Sequence, residues 1–581
     1  MPPKKSKQAP SDPQRFTPER FDKELQGLAS KAKSDAASAS VVGQINVYAR
    51  AIILLSLLGV YSNVSQLALS PVFGGIPSGL YHHFVLMAGC FLGWAGNLAV
   101  RQLMNGNTAS LLPLIAAYVP MVQFFMYTFS EKLGAQWGPL ATEALTLFPL
   151  CLLTAASVAD CLESARFGAL PGFVADAAPG FGSWGLFKLA EKLSGAHIRA
   201  HVGTVFLYTR VGMELLLAAA YAAFSPSKLL VLTIPALVHT AVWNTHVMTP
   251  QATTSLNNTM LAGNWSLLDR QESLTGYVSV MESYDSKFRV MRCDHSLLGG
   301  TWTMFQGGRV QEPIYGVFAM LEAVRLVQPL PSAHRPVDKD AKALVIGLGV
   351  GTTPSALVSH GIDTTVVEID PVVHEFAAKY FALKENNPAV LQDAVSYTVS
   401  LVEQGAKFDY IVHDVFTGGA EPVDLFTLEF LQGLYDLLTP NGVIAINYAG
   451  DFILPAPKTV VRTITNVFPS CRIFRESPMP DKSKGEAEHP DFTNMVIFCH
   501  KHASPLTFRR AKQADFLETH SRQRFLEPKY EVQALDFLEG DSTGLLTRND
   551  TEKMVPWHKS SAVGHWNIMR TVLPAHIWEM W

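Results

Sequence analysis

The chain has 581 residues, of which 48% are hydrophobic and 17% are charged, and its formal net charge is −4. This length is too great for one domain, the apolar fraction is high for a soluble protein, and the weak negative charge gives no reason to expect a nucleic acid partner. Six scattered cysteines form no CxxC pair, so we expect reduced thiols and neither a disulfide nor a zinc framework.

The first quarter of the chain changes character near residue 43. Residues 1–42 are rich in Pro, Lys, Ser, Gln and Ala and are predicted to be disordered. No apolar stretch lies within the first ~30 residues, so we expect no signal peptide. Residues 43–249 then contain apolar stretches of membrane-spanning length, which predict an α-helical membrane domain of about six spans rather than a soluble bundle. The stretches lie near 46–68, 80–100, 109–130, 139–160, 200–222 and 229–249.

Basic residues between the spans predict the orientation. Eight Lys or Arg precede Gln44, whereas the loops predicted on the opposite side carry only Lys132 and Lys228. Both termini are therefore expected to face the cytosol. The chain is predicted to be an integral, multi-pass protein of the lipid bilayer, and the sequence does not identify the organelle. The sequons at Asn257, Asn264 and Asn549 would then escape glycosylation. The remaining basic residues on the N-terminal side are Arg101, Arg166, Lys188, Lys192 and Arg199.

Two features of this region have two interpretations each. The amphipathic stretch 184–193, in the long loop after the fourth span, could lie at the membrane interface or pack on the soluble domain. Arg210 and Glu214, one helical turn apart in the fifth span, are either a self-neutralising pair or part of a functional site. The hypothesis that the protein is a transporter would rest on Arg210 and Glu214 alone.

A polar linker is predicted over 250–271, followed by a small β-hairpin domain over 272–328. Alternating patterns predict an antiparallel strand pair around the turn 284–286 and a third short strand at 302–306. A helix is expected over 315–327.

Residues 329–503 are predicted to form a methyltransferase-type, doubly wound α/β sheet. The strand 343–347 ends at Gly347; Gly349 and Gly351 follow at alternate positions, and a second apolar strand ends at Glu368. Small residues at this turn let the backbone approach a ligand, and an acid at the next strand tip can accept both hydroxyls of a ribose. Thr352 stands where a dinucleotide fingerprint needs its third glycine, so the pattern resembles S-adenosylmethionine-dependent transferases. The other strands are expected at 364–368, 390–392, 410–413, 443–447, 472–476 and 494–499.

The residues around this fold resemble spermidine and spermine synthases. Gln306, Glu312 and Tyr315 have the spacing of that family's Gln-x5-Glu-x2-Tyr segment. The resemblance implies that Gln306 and Tyr315 line the donor pocket, and that Glu368 holds the ribose. It also implies that Asp393 with Ala394 contacts the adenine and that Asp414, at the fourth strand tip, is catalytic. The membrane region resembles membrane-fused synthases of microbes and fungi.

Each of these residues also has an ordinary structural explanation. Tyr315 could be a core aromatic residue, Asp393 could cap the following helix, and Asp414 could be one of the acids common at strand tips. Two positions depart from the synthase pattern, because Val350 and Thr417 stand where that family has the acids that hold ammonium groups. A desolvated ammonium without a carboxylate partner is costly, so polyamine chemistry is in question.

The last segment, 504–581, is predicted to be a C-terminal extension. Its final 27 residues contain four tryptophans, which favour either a helix packed on the sheet domain or a contact with the membrane surface.

Together with these patterns, the resemblance implies a membrane-anchored transferase of the spermidine synthase type on the cytosolic face. Its donor would be S-adenosylmethionine or decarboxylated S-adenosylmethionine, its acceptor an amine, and no metal would be required. A carboxylate at the strand tip can orient the amine and take its proton. The alternatives are a methyltransferase with an unknown acceptor and a non-catalytic nucleoside-binding membrane protein. The sequence leaves open whether the protein forms a homodimer.

Overall fold

The structure, a computed structural model, describes residues 41–105, 107–165, 172–305, 307–329, 336–415, 421–480, 491–534, 537 and 544–581. Apart from its last two residues, the segment predicted to be disordered lies outside the described residues. A helical region followed by a methyltransferase-type α/β sheet is confirmed in this order along the chain.

Residues 41–249 form a layer of packed helices. The core between them is apolar, with Leu54, Leu58 and Leu150 fully buried. In the described residues the helices are α1 (Val41–Phe73), α2 (Gly75–Gly79), α3 (His82–Ala95), α4 (Asn97–Leu103), α5 (Leu112–Tyr127), α6 (Ser130–Leu145), α7 (Leu147–Leu162), α8 (Gly172–His201), α9 (Arg210–Phe224) and α10 (Ile234–Val242), with 3-10 turns at Thr108–Leu111, Phe206–Tyr208 and Lys228–Thr233.

One end of the layer, the sheet end, contacts the rest of the chain. The last turn of α1 lies there, because the carbonyl of Val72 accepts a hydrogen bond from Trp566 Nε1 at 3.0 Å. The start of α6 lies there too, since Ser130 Oγ donates to Glu579 at 2.7 Å.

The opposite end, the far end, joins the other termini of the same helices. Gln44 donates to the carbonyl of Ser164 at 3.0 Å, so α1 begins where α7 ends. Asn97, at the start of α4, donates to Glu163 at 3.0 Å. Followed from helix to helix, the described chain crosses between the two ends seven times: α1, α2–α4, α5, α6–α7, α8, α9 and the turn 228–233 with α10.

The expectation of about six spans is only partly met. Three helices of the described residues are long and apolar enough to cross a membrane, Gly43–Phe73, Thr108–Tyr127 and Ser130–Leu162, and the bent pair Gly75–Ala95 with Asn97–Leu103 is a fourth candidate. The two other predicted spans are shorter in the structure: α9 begins only at Arg210, and Lys228–Val242 has 15 residues.

The stretch 184–193 belongs to the 30-residue helix α8, which runs along α1. Asn63 Nδ2 donates to the carbonyl of Glu191 at 2.7 Å, and a Cβ on Gly59 would lie 2.9 Å from Ala190 Cβ. Neither sequence interpretation of this stretch anticipated that packing. The chain here forms an additional passage through the layer instead of a loop.

The pairing of Arg210 with Glu214 is also wrong. Both side chains are buried, but the guanidinium reaches out of the layer: Nη1 lies 3.0 Å from Glu272 Oε2 and Nη2 lies 3.1 Å from Asp294 Oδ1. Glu272 and Asp294 belong to the small sheet, so Arg210 joins two parts of the molecule. Spacing along one helix had suggested the nearer partner.

The small sheet has four antiparallel strands, β1 (Trp265–Ser273), β2 (Gly276–Ser283), β3 (Phe288–Cys293) and β4 (Ser296–Trp302), in the order β1-β2-β3-β4. The predicted pair around 284–286 is β2 and β3. Residues 250–271, expected as a linker, form helix α11 (Pro250–Ala262) and most of β1. The helix expected over 315–327 is α12 (Gly316–Leu321) continued by the 3-10 turn Glu322–Leu326.

The large sheet has eight strands in the order β12-β10-β11-β9-β8-β5-β6-β7. Its strands are buried on both faces: Val345 enters one apolar cluster, while Leu344 and Ile346 enter the other. Strands β7, β6, β5, β8 and β9 are parallel, and β11, β10 and β12 add antiparallel pairs. The strands are β5 (Lys342–Ile346), β6 (Asp363–Glu368), β7 (Val390–Leu391), β8 (Phe408–His413), β9 (Leu438–Asp451), β10 (Ser470–Arg475), β11 (Phe492–His500) and β12 (Tyr530–Val532).

Helices cover both faces of this sheet, as the alternation of strand and helix predicts. They are α13 (Thr352–Ser359), α14 (Pro371–Tyr380), α15 (Ala394–Glu403), α16 (Leu428–Leu437) and α17 (Pro455–Val467). A further helix, α18 (His520–Phe525), packs on α12.

The expectation of reduced cysteines is wrong for one pair. Cys471 of β10 and Cys499 of β11 face each other in the antiparallel register and form a disulfide. Twenty-eight positions separate them in the sequence, so cysteine spacing alone gave no signal of the pairing. The other four cysteines are free thiols.

The C-terminal segment forms α19 (Val555–Val572) and α20 (Ala575–Glu579). This segment packs between the helical layer and both sheets. Arg292 of β3 donates to the carbonyl of Ile577 at 2.7 Å, and the Trp581 ring stacks on His246 at 4.6 Å between centroids. Of the two interpretations of its tryptophans, the packed helix is the one found.

Candidate active site

A cavity of about 1010 Å³ lies over the carboxyl edge of the parallel strands. Ligands of open α/β sheets bind in this position because the strand order reverses there and the following loops diverge. The cavity has two walls, which we name by their strands. The donor wall consists of the loop after β5 with the tips of β6 and β7, and the acceptor wall consists of the edge residues of β8, β9, β11 and β10.

The glycines of the donor wall are required by their geometry. Gly347 has φ 86° and Gly349 has φ 54°, a region that L side chains rarely adopt. A Cβ on Gly347 would lie 2.1 Å from the carbonyl oxygen of Asp414, and one on Gly349 would lie 2.5 Å from that of Leu298. Both glycines line the cavity. Gly351, with φ 79°, precedes α13 and is absent from the lining residues, so its contribution is to the turn.

Glu368 ends β6 on the cavity floor and is 9% exposed. Its carboxylate accepts hydrogen bonds from the backbone N–H of Leu348 at 3.0 Å and of Asp370 at 2.9 Å. Burial is the largest influence on this group and raises the pKa of Glu368. The two backbone donors fix the carboxylate and leave it lone pairs for a diol.

Asp393 and Ala394 line the same wall after β7. Asp393 caps α15, because its Oδ2 accepts from the backbone N–H of Ser396 at 2.9 Å. The capping interpretation and the cavity position therefore coexist in one side chain. Gln306 lies outside the described residues.

Asp414 follows β8 and opens the acceptor wall. Its Oδ1 accepts a hydrogen bond from Asn447 Nδ2 at 2.8 Å. Desolvation by burial raises the pKa of Asp414 to about 6, against the lowering influence of Asn447. A carboxylate with a pKa near the working pH suits proton transfer better than an ordinary aspartate.

The wall continues through side chains that the sequence did not single out. Glu476, directly after β10, accepts from Asn494 Nδ2 at 2.7 Å and from the backbone N–H of Val317 at 3.1 Å. Tyr315 lies opposite, with a buried hydroxyl that has no hydrogen-bond partner in the described part of the chain. Burial, together with the charge of Glu476, raises the pKa of Tyr315 to about 12.

Distant parts of the chain close the cavity. Gly75 and Ile76 of α2 and His565, Ile568 and Met569 of α19 belong to its lining. Burial lowers the pKa of His565 to about 4, so this ring is neutral. A parallel-sheet pattern carries no signal for these residues, which reach the site only because α2 and α19 pack over the sheet edge.

The two departures from the synthase pattern have different outcomes. Val350 is buried and lines the cavity, where its side chain faces Gly299 of β4. An apolar contact between the donor loop and the small sheet thus replaces the acid. Thr417 lies outside the described residues. Within the residues that the structure describes, no three His, Cys, Asp or Glu side chains form a metal-holding group.

The known proteins that are similar to this chain differ in how much of it they cover. The spermine/spermidine synthase domain model matches residues 327–475. The polyamine aminopropyltransferase of Vibrio vulnificus is 33% identical over 144 residues, 24% of this chain and 48% of that protein. The N-terminal histidine N-methyltransferase of Emericella nidulans is 44% identical over 547 residues, 91% of this chain and 96% of that protein. The resemblance to spermidine synthases is therefore confirmed for the domain at 327–475. The expected membrane-fused synthase is corrected, because the relative that covers 91% of this chain is an N-methyltransferase.

Among solved structures, spermidine synthase in complex with the transition-state analogue AdoDATO is 21% identical with a TM-score of 0.32, covering 50% of this chain and 88% of that one. Human methyltransferase-like protein 13 in complex with SAH is 20% identical with a TM-score of 0.25, covering 41% of this chain and 95% of that one.

Proposed function

Because the chain belongs to the same family as the N-terminal histidine N-methyltransferase of Emericella nidulans, we propose that it transfers a methyl group from S-adenosylmethionine to a nitrogen of an N-terminal histidine in a polypeptide. The similarity across nearly the whole of both chains carries this proposal. It includes the helical layer and the C-terminal segment, which both contribute to the cavity. Of the activities that the sequence left open, methyl transfer is the better supported.

The donor wall fits a sulfonium nucleoside. Glu368 would hold the ribose hydroxyls, the backbone at Gly347 and Gly349 would admit the donor closely, and Asp393 with Ala394 would face the adenine. S-adenosylmethionine supplies a methyl group already activated on sulfur, so the residues of the chain act mainly by positioning.

The acceptor wall fits a nitrogen nucleophile. A methyl group moves only to a nitrogen that has a lone pair. Because the ordinary pKa of imidazole is about 6.5, most of the imidazole is unprotonated at neutral pH and has such a nitrogen. Asp414 would accept the N–H of one ring nitrogen and take its proton as the other ring nitrogen, which carries the lone pair, bonds to the methyl group and the sulfonium leaves as a thioether. Asn447 would hold the Asp414 carboxylate in place through the 2.8 Å hydrogen bond.

The test uses the full chain, S-adenosylmethionine and a peptide that begins with histidine. We expect mass spectrometry to show one methyl group on the first residue. The matched control is the same peptide with alanine placed before the histidine, which should stay unmodified. Methylation of both peptides alike, or of neither, would contradict the proposal.

Aminopropyl transfer is the second candidate, because the matched domain model is that of spermine and spermidine synthases. Val350, in place of an acid in the donor loop, disfavours it. With decarboxylated S-adenosylmethionine and putrescine we expect little spermidine. Efficient formation of spermidine that depends on Asp414 would restore the synthase assignment.

We further propose that the helical layer lies in a membrane, with a different orientation from the one expected. Large apolar side chains are exposed on its surface, including Phe84, Phe91, Val231 and Trp243, which is typical of helices whose outer faces contact lipid. Seven passages separate the sheets from the far end, where α1 begins. Eight Lys or Arg precede α1 in the sequence. An odd number of passages and a cytosolic N-terminus together favour the sheets on the opposite side.

The disulfide supports this orientation independently. Disulfides persist in oxidising compartments and are rare in the cytosol, and Cys471–Cys499 lies in the large sheet. In that compartment the sequons at Asn257, Asn264 and Asn549 would become available for glycosylation.

Protease protection on sealed microsomes tests the orientation. An epitope placed before the first helix should be digested, whereas one placed after Trp581 should be protected until detergent is added. Digestion of both epitopes would restore the cytosolic assignment of the two termini. Endoglycosidase treatment is an independent readout: a mobility shift that disappears in Asn264→Gln supports the opposite side.

A further inference from the structure

The edge residues of the acceptor wall follow one another across four strands. Asp414 ends β8, Asn447 lies beside it on β9, Asn494 pairs with Ala449 of β9, and Glu476 pairs with Asn494 through a 2.9 Å backbone hydrogen bond. Three steps between strands, each about 4.8 Å, together with the two-residue offset along β9, put the backbones at Asp414 and Glu476 about 16 Å apart. Because both residues line the cavity, a ligand of the size of one amino-acid residue can lie between their carboxylates.

Glu476 is a carboxylate held in place by uncharged donors. Its two oxygens accept from Asn494 Nδ2 and from the backbone N–H of Val317. An ionised carboxylate has about four lone-pair sites, so sites on both oxygens are left for a ligand. The hydrogen bonds fix its direction without neutralising its charge.

Asn447 supplies a second observation that points to a ligand. Its side chain is 6% exposed, and its Nδ2 donates to Asp414, which fixes the orientation of the amide. The Oδ1 atom has no hydrogen-bond partner among the residues that the structure describes, although buried acceptors are nearly always paired. The group that is missing beside Asn447 is therefore an N–H or O–H donor.

The charges of the lining agree with a cationic ligand. The described lining residues include six carboxylates and one guanidinium, and His565 is neutral. Asp294 of this set is paired with Arg210, outside the cavity. The carboxylates are Asp294, Glu368, Asp393, Asp414, Asp424 and Glu476, and the guanidinium is that of Arg548.

From this geometry we propose that Glu476, oriented by Asn494, binds the free α-ammonium group of the acceptor. Asn447 Oδ1 and Asp414 then accept the N–H of one ring nitrogen, while the other ring nitrogen, which carries the lone pair, is methylated. This subsite rests on the proposed function and deepens it, since it explains why the histidine has to be the first residue. An ammonium has no lone pair, so the methyl group then goes to a ring nitrogen. The ammonium enters a cavity that already holds its carboxylate partner, which offsets its desolvation.

The experiment compares three histidine peptides with the full chain: one with a free amino group, one with an acetylated amino group, and one that begins with imidazolepropionyl, which lacks the amino group. The wild type should have a KM for the free peptide about 10- to 100-fold below those for the other two. In Glu476→Gln the free peptide should lose this advantage, with kcat changed by less than about threefold. The KM for the imidazolepropionyl peptide should stay unchanged.

Glu403→Gln is the matched control, because Glu403 is an exposed glutamate on α15, away from the cavity. It should keep the full preference for the free peptide. S-adenosylmethionine affinity and the melting temperature show that Glu476→Gln is folded, and a wild type that methylates all three peptides equally overturns the subsite without any variant.

The outcomes separate the two proposals. If no histidine peptide is methylated by the wild type, the proposed function fails. If the free peptide is methylated and Glu476→Gln keeps the wild-type ratio of KM values, the function stands and the ammonium subsite is wrong.

Discussion

The two walls of the cavity differ in how far their polar groups are already paired. On the donor wall, Glu368 receives two backbone N–H groups and the glycines fix the loop without any side chain. On the acceptor wall, Asn447 Oδ1 and the Tyr315 hydroxyl have no partner in the described residues. The donor wall is thus complete before a ligand arrives, whereas the acceptor wall is completed by one. Specificity for the acceptor can therefore change without disturbing the donor site.

The largest expected effect comes from the acceptor wall. Asp414→Asn removes the base while an amide can still pair with Asn447, so turnover should fall about 100- to 10,000-fold. Affinity for S-adenosylmethionine should stay within about twofold, because the donor wall is untouched. Single-turnover kinetics and calorimetry measure the two quantities separately. A matching loss of donor affinity would show that the walls are not independent.

The next effect comes from the donor wall. Glu368→Ala should weaken S-adenosylmethionine binding at least about tenfold, since each hydrogen bond to a charged group contributes about 1.5–3 kcal/mol. It also leaves the N–H groups of Leu348 and Asp370 without their acceptor, so the melting temperature should fall. Glu368→Gln keeps one carbonyl acceptor, so its affinity for S-adenosylmethionine in calorimetry should lie between those of the wild type and Glu368→Ala. An unchanged affinity in both variants would remove Glu368 from the site.

The pH dependence gives a smaller effect, which comes from the acceptor wall. Because the pKa of Asp414 is about 6, its carboxylate is lost as the pH falls below that value. The imidazole of the acceptor loses its lone pair in the same range, so two ionisations act together. The wild-type rate should fall about 100-fold per pH unit well below 6 and that of Asp414→Asn only about tenfold. Equal slopes would show that Asp414 does not titrate in catalysis.

The smallest effect concerns stability. Burial raises the pKa of Asp414, so its contribution to stability is present below the unfolded-state pKa near 4 and is lost as the pH rises through about 6. At neutral pH the ionised group is a cost, and Asp414→Asn should raise the free energy of unfolding by about 1–2 kcal/mol. At pH 4 the difference from the wild type should vanish. Urea unfolding at both pH values measures it.

The donor wall was predictable because its signals are local. A strand, three glycines and an acid at the next strand tip occur within 26 positions of the sequence, 343–368. The seven strands predicted for this sheet lie within a few residues of those observed. Such patterns follow directly from strand burial and turn geometry. Asp414 was found by the same reasoning, as an acid at a strand tip.

The acceptor wall was not predictable in the same way. Glu476 and Asn494 are ordinary polar residues at the ends of antiparallel strands, and they become neighbours only through the pairing of β10 with β11. Arg210 was likewise assigned the nearer Glu214, because helical spacing is visible in a sequence and a contact with Glu272 is not. The helix α8 was not predicted as a passage through the layer because its charged residues lower the hydropathy of the segment, although its other face packs on α1.

The C-terminal segment has a consequence for the order of biosynthesis. The ribosome completes α19 and α20 only after every helix of the layer and every strand of both sheets. Their contacts reach back as far as the bond from Trp566 to Val72, which spans 494 positions. Closing so long a loop late requires that the earlier parts have already folded in their correct relative positions. A chain interrupted before Val555 would leave the cavity open along the side of His565 and Met569, so only molecules translated beyond α19 acquire a closed site.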